Sequence, residues 1–212
     1  MIGTLAGPAM VAVAFLIGSI PFGYLIGRIF YRTDIRAAGS GNIGAMNALR
    51  TLGKGGGAAV LVLDALKGFA PVLVAAAFFH GSQTFQAMVA TAAVLGHCFS
   101  PWLSWRGGKG VATSFGAILG LSWPAGLVAV GGWILGALLT RYSSVGSMLG
   151  SVLAPVALWY FTGSSAFTAY GVFAAFLVIY THRENLVRLR AGTEGPIRPF
   201  KRSGAGGKST LP

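Results

Sequence analysis

Charge is scarce in this sequence. Charged residues make up 9% of the 212 positions, and only four are acidic. A water-soluble surface needs far more, so an ordinary soluble domain is excluded. Cysteine is almost missing: the single Cys98 rules out an intramolecular disulfide framework, and nothing around it resembles a thiolate metal site. No Lys or Arg precedes Arg28, so the basic region of a cleavable signal peptide is lacking and the first apolar run is expected to be a permanent helix. No repeat of fixed period and no convincing β alternation occur, which removes solenoid and β architectures.

What is abundant is apolar. Such residues fill 54% of the chain and mean hydropathy is +0.71. Apolar segments lie at about 8–30, 57–79, 84–103, 111–123, 125–140, 145–162 and 165–181, most near the roughly 20 residues that cross a bilayer. Ser122, Trp123 and Pro124 interrupt residues 111–140, which read as one kinked helix or two short ones. Seven crossings with an external N-terminus gather Arg28, Arg32, Arg36, Arg50, Lys54, Arg106, Lys109, Arg141 and the tail on the cytoplasmic side. The opposite turns, near His80, Ser122 and Gly163, then carry no Lys or Arg, whereas merging the two middle spans would export the tail. The expected fold is all-α, a polytopic bundle of seven transmembrane helices with a cytoplasmic C-terminus. Residues 1–194 read as one domain and 195–212 as a basic, flexible tail near anionic lipid. The net charge of +12 is dispersed between apolar spans and makes no continuous stripe, so no nucleic-acid partner is expected. Small residues four apart, at Gly23/Gly27, Gly116/Gly120, Gly132/Gly136 and Gly146/Gly150, suit close helix packing.

The polar residues cluster between these spans. The first cluster is Gly39-Ser40-Gly41-Asn42-Ile43-Gly44-Ala45-Met46-Asn47-Ala48-Leu49-Arg50. It contains G-x-G-x-x-G, but no strand precedes it and no suitably spaced acidic residue follows, so a dinucleotide site is excluded. Its glycines can still expose converging N–H groups, with Ser40, Asn42 and Asn47 adding hydrogen bonds and Arg50 a bidentate cation. The plainer reading is a flexible loop with a positive-inside arginine. A second cluster, Gly96 to Gly110, holds His97 and ends in Gly107-Gly108-Lys109-Gly110 before an apolar helix. Helix N-terminal amides and Lys109 could converge there on one anion. It is no Walker A loop, because Leu103 stands where a glycine is required. Topology anchoring equally explains Arg106 and Lys109, and an interfacial belt explains Trp102 and Trp105. His97 is either a donor or base toward phosphate or a satisfied packing histidine.

Asp64 and Lys67 share a helical face at i,i+3 inside the second apolar run and read as a mutually neutralising pair, with Lys67 adding positive potential to the site. Ser144 and Ser147, after Arg141, could donate to phosphate oxygens or cap a helix start. His182 and Asn185 fall on one face if the last helix continues, while Glu184 and Arg188 form an i,i+4 surface pair.

Taken together, Gly39 to Arg50, Gly96-His97, Gly107 to Ala112, Ser144 with Ser147, and His182-Arg183-Glu184-Asn185 resemble the bacterial acyl-phosphate:glycerol-3-phosphate acyltransferases, the PlsY family, in order and topology from Gly18 to Glu194. Met46 departs from the small hydroxyl expected in many relatives. The resemblance implies a multi-pass enzyme of the bacterial plasma membrane with its active site at the cytoplasmic face. It would make 1-acylglycerol 3-phosphate and phosphate for phospholipid synthesis, with acyl phosphate supplied by a soluble acyl-phosphate synthase. Ser40, Lys109, His182 and Asn185 would be catalytic. Gly39, Gly41, Asn42, Asn47, Arg50, Lys67, His97, Gly107, Gly108, Gly110, Ser144 and Ser147 would bind substrate. No cofactor, metal or covalent acyl-enzyme is expected. From the residues alone, an organic-anion transporter and a lipid-recruiting scaffold remain the competing readings.

Overall fold

The computed structural model describes residues 2–78 and 82–197. Nine α-helices are found among them: α1 (Ile2–Ser19), α2 (Phe22–Phe30), α3 (Ala45–Phe78), α4 (Gln83–Cys98), α5 (Val111–Leu121), α6 (Trp123–Thr140), α7 (Ser143–Thr162), α8 (Ser165–Thr181) and α9 (Arg183–Arg190). Short 3-10 turns occupy Ile35–Ala37 and Pro101–Leu103, and no strand occurs among the described residues. The turn expected around His80 lies partly outside this range, as does the tail from residue 198.

Helix breaks follow local chemistry. The first apolar run is two helices bent by 44°. Pro21 at the break carries no backbone N–H, and the bend leaves the Ser19 and Ile20 carbonyls without their i+4 helical partners. They are recovered from afar: Ser100 Oγ donates to Ser19 O at 2.7 Å and Lys67 Nζ to Ile20 O at 2.8 Å. The 111–140 ambiguity resolves into two helices, because Ser122 is extended (φ −159°, ψ 107°) before the Pro124 turn. The third apolar run, expected to reach residue 103, stops at Cys98 before the Pro101 turn. In α3 the ladder is interrupted at Gly53, whose φ of 82° suits glycine and separates the segment carrying Asn47 and Arg50 from the long apolar part.

Three helices, α3, α6 and α7, are long and apolar enough to cross a bilayer singly, and counting the bent pairs α1/α2 and α8/α9 as single spans raises this to five. Helices α4 and α5, with 16 and 11 residues, are shorter apolar elements inside the bundle.

Packing relies on small side chains. The principal contacts are α6 with α7, α3 with α5, α1 with α4, and α7 with α8. At the α6/α7 crossing a Cβ on Gly136 would lie 2.8 Å from Gly146 Cα, and one on Gly132 would lie 3.0 Å from Gly150 Cα. The expected glycine pairs therefore meet each other directly, which lets backbones approach without a hydrophobic drive between helices. A core of Val94, Phe115, Ile118, Leu158, Tyr170 and Leu177 fills the centre. Outside, Leu138, Leu139, Val156, Tyr160 and Phe176 are largely exposed, an apolar exterior that lipid and not water accommodates.

Candidate functional site

Lys109, in the turn just before α5, donates to Asn185 Oδ1 on α9. Asn185 Nδ2 in turn donates to Glu194 Oε1 at 2.6 Å, and Ser144 Oγ from the first turn of α7 donates to the same oxygen at 2.8 Å. Arg188 Nε reaches Glu194 Oε2 at 2.7 Å. One carboxylate thus collects donors from three directions, and Asn185 links it to the lysine. The chain after α9 continues as a strap: Arg50 Nη2 donates to Gly195 O at 3.1 Å, and Ile197 N to Arg141 O at 2.7 Å. These two bonds cross the boundary expected at residue 194 and tie the start of the tail to the bundle.

The electrostatics are distinctive. Burial disfavours charge on Lys109 and the Arg188 guanidinium repels it, outweighing Glu194 and Glu184, so its ammonium is pushed down from 10.5 to about 8. Burial also opposes charge on Glu194, but hydrogen bonds from Asn185, Arg188 and Ser144 outweigh it and hold the carboxyl below the ordinary range. A half-buried cation surrounded by neutral and cationic donors is suited to receive a phosphate, whose oxygens accept what Glu194 accepts here.

His182 sits at the bend between α8 and α9, where the axis turns by 55°. The continuous helix expected there is interrupted, yet His182 and Asn185 are both buried. The His182 Nδ1 proton is donated to Val178 O at 2.8 Å, which leaves Nε2 as the available ring atom. The expected Glu184–Arg188 pair does not form: Glu184 is exposed, and Arg188 turns to Glu194 because that carboxylate is already organised and less solvated.

The first loop is stapled from within. Asn47 is 2% exposed; its Nδ2 donates to Ile35 O, Asn42 O and Ala38 O, and its Oδ1 accepts from Ser40 N at 2.8 Å. Every polar group of that amide serves the loop, so Asn47 shapes the site from behind. Asn42 Oδ1 turns back to Gly44 N at 2.8 Å. Gly39 and Gly41 have φ of 60° and 71°, and a Cβ at Gly39 would overlap Asn47 Oδ1. Ser40 is exposed at the loop tip. Gly41 and Gly107 line one open cleft of about 450 Å³ with Arg36, Ile43, Leu103, Ser104 and Arg106, so the first two loops do meet.

The second loop is anchored to the end of α4. Gly107 N donates to Cys98 O and Gly108 N to His97 O, both at 3.0 Å. These two amides point backwards and are not the converging phosphate donors expected of them. The orphan N–H groups of the first turn of α5, beyond Gly110 (φ 81°), remain to face an anion. His97 is 3% exposed and lies under this loop, away from solvent. Lys67, also 3% exposed, pairs with Asp64 at 2.6 Å. Ser147 Oγ donates to Ser143 O at 2.9 Å within its own helix. Lys67, His97 and Ser147 therefore belong to the interior, not to the Lys109–Asn185–Ser144 group.

Glu194 and Arg188 were missed as site residues by sequence reasoning. The available signal was weak: Glu194 is the last of only four acidic residues, following a Gly192 turn with φ of 67°.

A family model described as Glycerol-3-phosphate acyltransferase matches residues 8–192. A glycerol-3-phosphate acyltransferase from Rhodopseudomonas palustris (strain BisB5) is 46% identical over 189 residues, covering 89% of this chain and 95% of the relative. One from Brucella suis (strain ATCC 23445 / NCTC 10510) is 45% identical over 183 residues, covering 86% and 89%. The fold is similar to crystal structures of PlsY, an integral membrane glycerol 3-phosphate acyltransferase. The glycerol 3-phosphate form superposes with a TM-score of 0.86 at 36% identity, covering 90% of this chain and 95% of that one. The lysophosphatidic acid form gives 0.84 at 34% identity over the same shares. With its family model spanning nearly all the described helices and its relatives matched almost end to end, this chain belongs to the glycerol-3-phosphate acyltransferase family.

Proposed function

We propose that this protein transfers a fatty acyl group from acyl phosphate to glycerol 3-phosphate, giving 1-acylglycerol 3-phosphate and inorganic phosphate. The observation that carries this reading is the convergence of Asn185 and Ser144 on one carboxylate, with Lys109 joined to it through Asn185, beside the strap that Arg50 holds. The names of the relatives supply the acceptor. The choice of donor rests on chemistry: an acyl phosphate is a mixed anhydride with a good leaving group, and the site offers anion-binding parts at two adjacent places, the Lys109 group and the cleft between Gly41 and Gly107.

Two phosphates bring roughly three to four negative charges together, so their repulsion must be offset before chemistry begins. Lys109, the start of α5 and Ser40 position and polarise the donor; Arg50, Ser144, His182 and Asn185 hold the acceptor, and the acyl tail stays in lipid. The primary hydroxyl oxygen of the acceptor attacks the acyl carbonyl carbon. The new ester C–O bond forms as the carbonyl carbon to phosphate-oxygen bond breaks, phosphate leaves with that electron pair, and a substrate phosphate oxygen takes the hydroxyl proton. Transfer is direct, with no acyl group on the protein.

The same reading completes the bundle to seven crossings by counting α4 and α5 as spans, with the N-terminus outside and the loops carrying Arg50, Lys109 and Arg141 at the cytoplasmic face of a bacterial inner membrane. Residues 1–194 then form the catalytic domain. A soluble acyl-phosphate synthase supplies the donor.

The test is a turnover assay in proteoliposomes with acyl phosphate, acyl-CoA and acyl-carrier-protein donors in parallel, measuring acylglycerol phosphate and phosphate together. Equal yields of both products from acyl phosphate alone are expected. Turnover from a thioester donor, or a radiolabelled acyl group left on the protein when acceptor is withheld, overturns the donor assignment or direct transfer respectively.

A further inference from the structure

Beneath the second loop lies a buried polar group that the transfer itself does not use. Asp64 and Lys67 on α3 form an ion pair of 2.6 Å with both side chains almost wholly enclosed. His97, near the end of α4, presents Nδ1 to Asp64 Oδ1 at 3.7 Å, and Nδ1 has no hydrogen-bond partner among the described residues. The other edge of the ring meets the loop: a Cβ built on Gly108 would overlap His97 Nε2 and crowd its neighbouring carbons. The main chain joins the same two places, because Gly108 N donates to His97 O and Gly107 N to Cys98 O, each at 3.0 Å.

From this geometry we infer that His97 is a positioning residue, an imidazole platform on which Gly108 rests and which sets the height of Lys109 and the start of α5 relative to the substrate phosphate. The inference deepens the acyl-transfer reading and rests on it. The Asp64 carboxylate faces Nδ1 at 3.7 Å and electrostatically favours the tautomer that keeps the proton on that side. Glycine is what lets residue 108 sit against the Nε2 edge of the ring, since any Cβ overlaps Nε2 and lifts the loop away. The next residue, Lys109, carries its ammonium to Asn185, and Lys109 O accepts from Thr181 Oγ1 at 3.0 Å. A displaced Gly108 therefore moves the cation and loosens its junction with α8 and α9 together. A shift of about 1 Å in a group that positions substrate is worth about 100-fold in rate. His97 itself is 3% exposed and acts through the loop.

The test is a double-mutant cycle between the platform and the loop, read in full-length protein in proteoliposomes. Gly108→Ala is expected to lower kcat/KM by about 100-fold. His97→Ala is expected to lower it by about 10-fold, chiefly through a raised KM for a phosphate-bearing substrate. The double variant His97→Ala/Gly108→Ala is expected to recover to the level of His97→Ala alone, because the added methyl then enters the space the ring vacated. As a specificity control, Gly110→Ala, strained by its φ of 81° and set against Cys98 Sγ, is expected to gain nothing from His97→Ala. Should His97→Ala not yield folded protein by its melting transition, the cycle is run with His97→Asn, which withdraws the ring and keeps a polar group; the same recovery is expected. Losses that multiply in the double variant, or a rescue of Gly110→Ala equal to that of Gly108→Ala, overturn the platform. Wild-type protein without turnover would instead defeat the acyl-transfer reading, and the two failures are distinguishable.

Discussion

Among the described residues, two places bring a carboxylate and a lysine together, and they are built on opposite plans. Asp64 and Lys67 lie three residues apart on one helix, touch at 2.6 Å and are both about 2–3% exposed. Glu194 and Lys109 are joined only through Asn185, and the links that assemble their group span 76 residues for Lys109–Asn185, 50 for Ser144–Glu194 and 145 for Arg50–Gly195. The first pair is closed: each charge is desolvated and answered by the other. The second is open, its lysine half-buried and weakened as a cation, its carboxylate holding donors that a phosphate could take over. A closed pair defines where helices sit, whereas an open one can exchange a protein partner for a substrate.

The sharpest way to break this comparison is to remove one partner of the closed pair. Asp64→Ala leaves a buried ammonium unanswered and is expected to lower unfolding free energy in detergent by about 3–5 kcal/mol, while Asp64→Leu combined with Lys67→Met recovers most of it. Detergent melting of the three proteins checks this, and an unchanged midpoint for Asp64→Ala would show that the pair is not closed. Lys109→Ala should do the reverse: a loss of about 10²–10³ in kcat/KM, with melting nearly unchanged. Equal turnover in that variant would remove Lys109 from the chemistry.

Glu194→Gln tests whether the carboxylate organises its donors by charge or by shape. Arg188 loses a charged acceptor while Asn185 and Ser144 keep an oxygen, so a fall of about 1–3 kcal/mol in stability is expected, read by the same melting assay.

pH sharpens the comparison further. Lys109 is protonated in the empty protein below about 8, so kcat/KM for a phosphate substrate should fall tenfold per unit above that value. Lys109→Arg should carry the falling limb beyond pH 10, as a guanidinium stays charged. Stability has the opposite sign: the folded value lies below the ordinary 10.5, so between about pH 8 and 10.5 the unfolded chain binds more protons and the empty protein gains stability from this group as pH rises. The smallest effect belongs to Ser147→Ala, about 0.5 kcal/mol or less in stability and no change in KM, because its hydroxyl serves only the Ser143 carbonyl.

Much of the scaffold was legible because its signals are local. Apolar runs, the Pro124 interruption and the i,i+3 spacing of Asp64 and Lys67 all act within a few residues, and each appears in the structure as a helix, a break or a pair, whereas the break at Pro21 inside the 8–30 run was not read. The site was legible in part. Lys109, Asn185 and Ser144 meet as expected, since polar residues between apolar spans have few places to go. Asn47 and His97 are polar residues in the same loops and have the composition of ligands, but the folding of each loop back on itself determines their use: the Ile35 and Ala38 carbonyls, 12 and 9 residues away, claim the one, and Asp64 and Gly108 enclose the other. Glu194 escaped notice because an acid looks wrong in an anion site until its donors are seen around it.

The sequence alone determined that this chain lives in lipid, where its helices run and break, and that phosphate-binding residues lie between them, because hydropathy and helical period are set by neighbours in the chain. Tertiary structure alone decided which polar side chains face the site and which are consumed in building it. For Asn47 the acceptors lie 5 to 12 residues away across a folded loop, and for Ser144 and Arg50 the partners lie 50 and 145 residues away, brought within about 3 Å only when α3, α7, α9 and the strap close together.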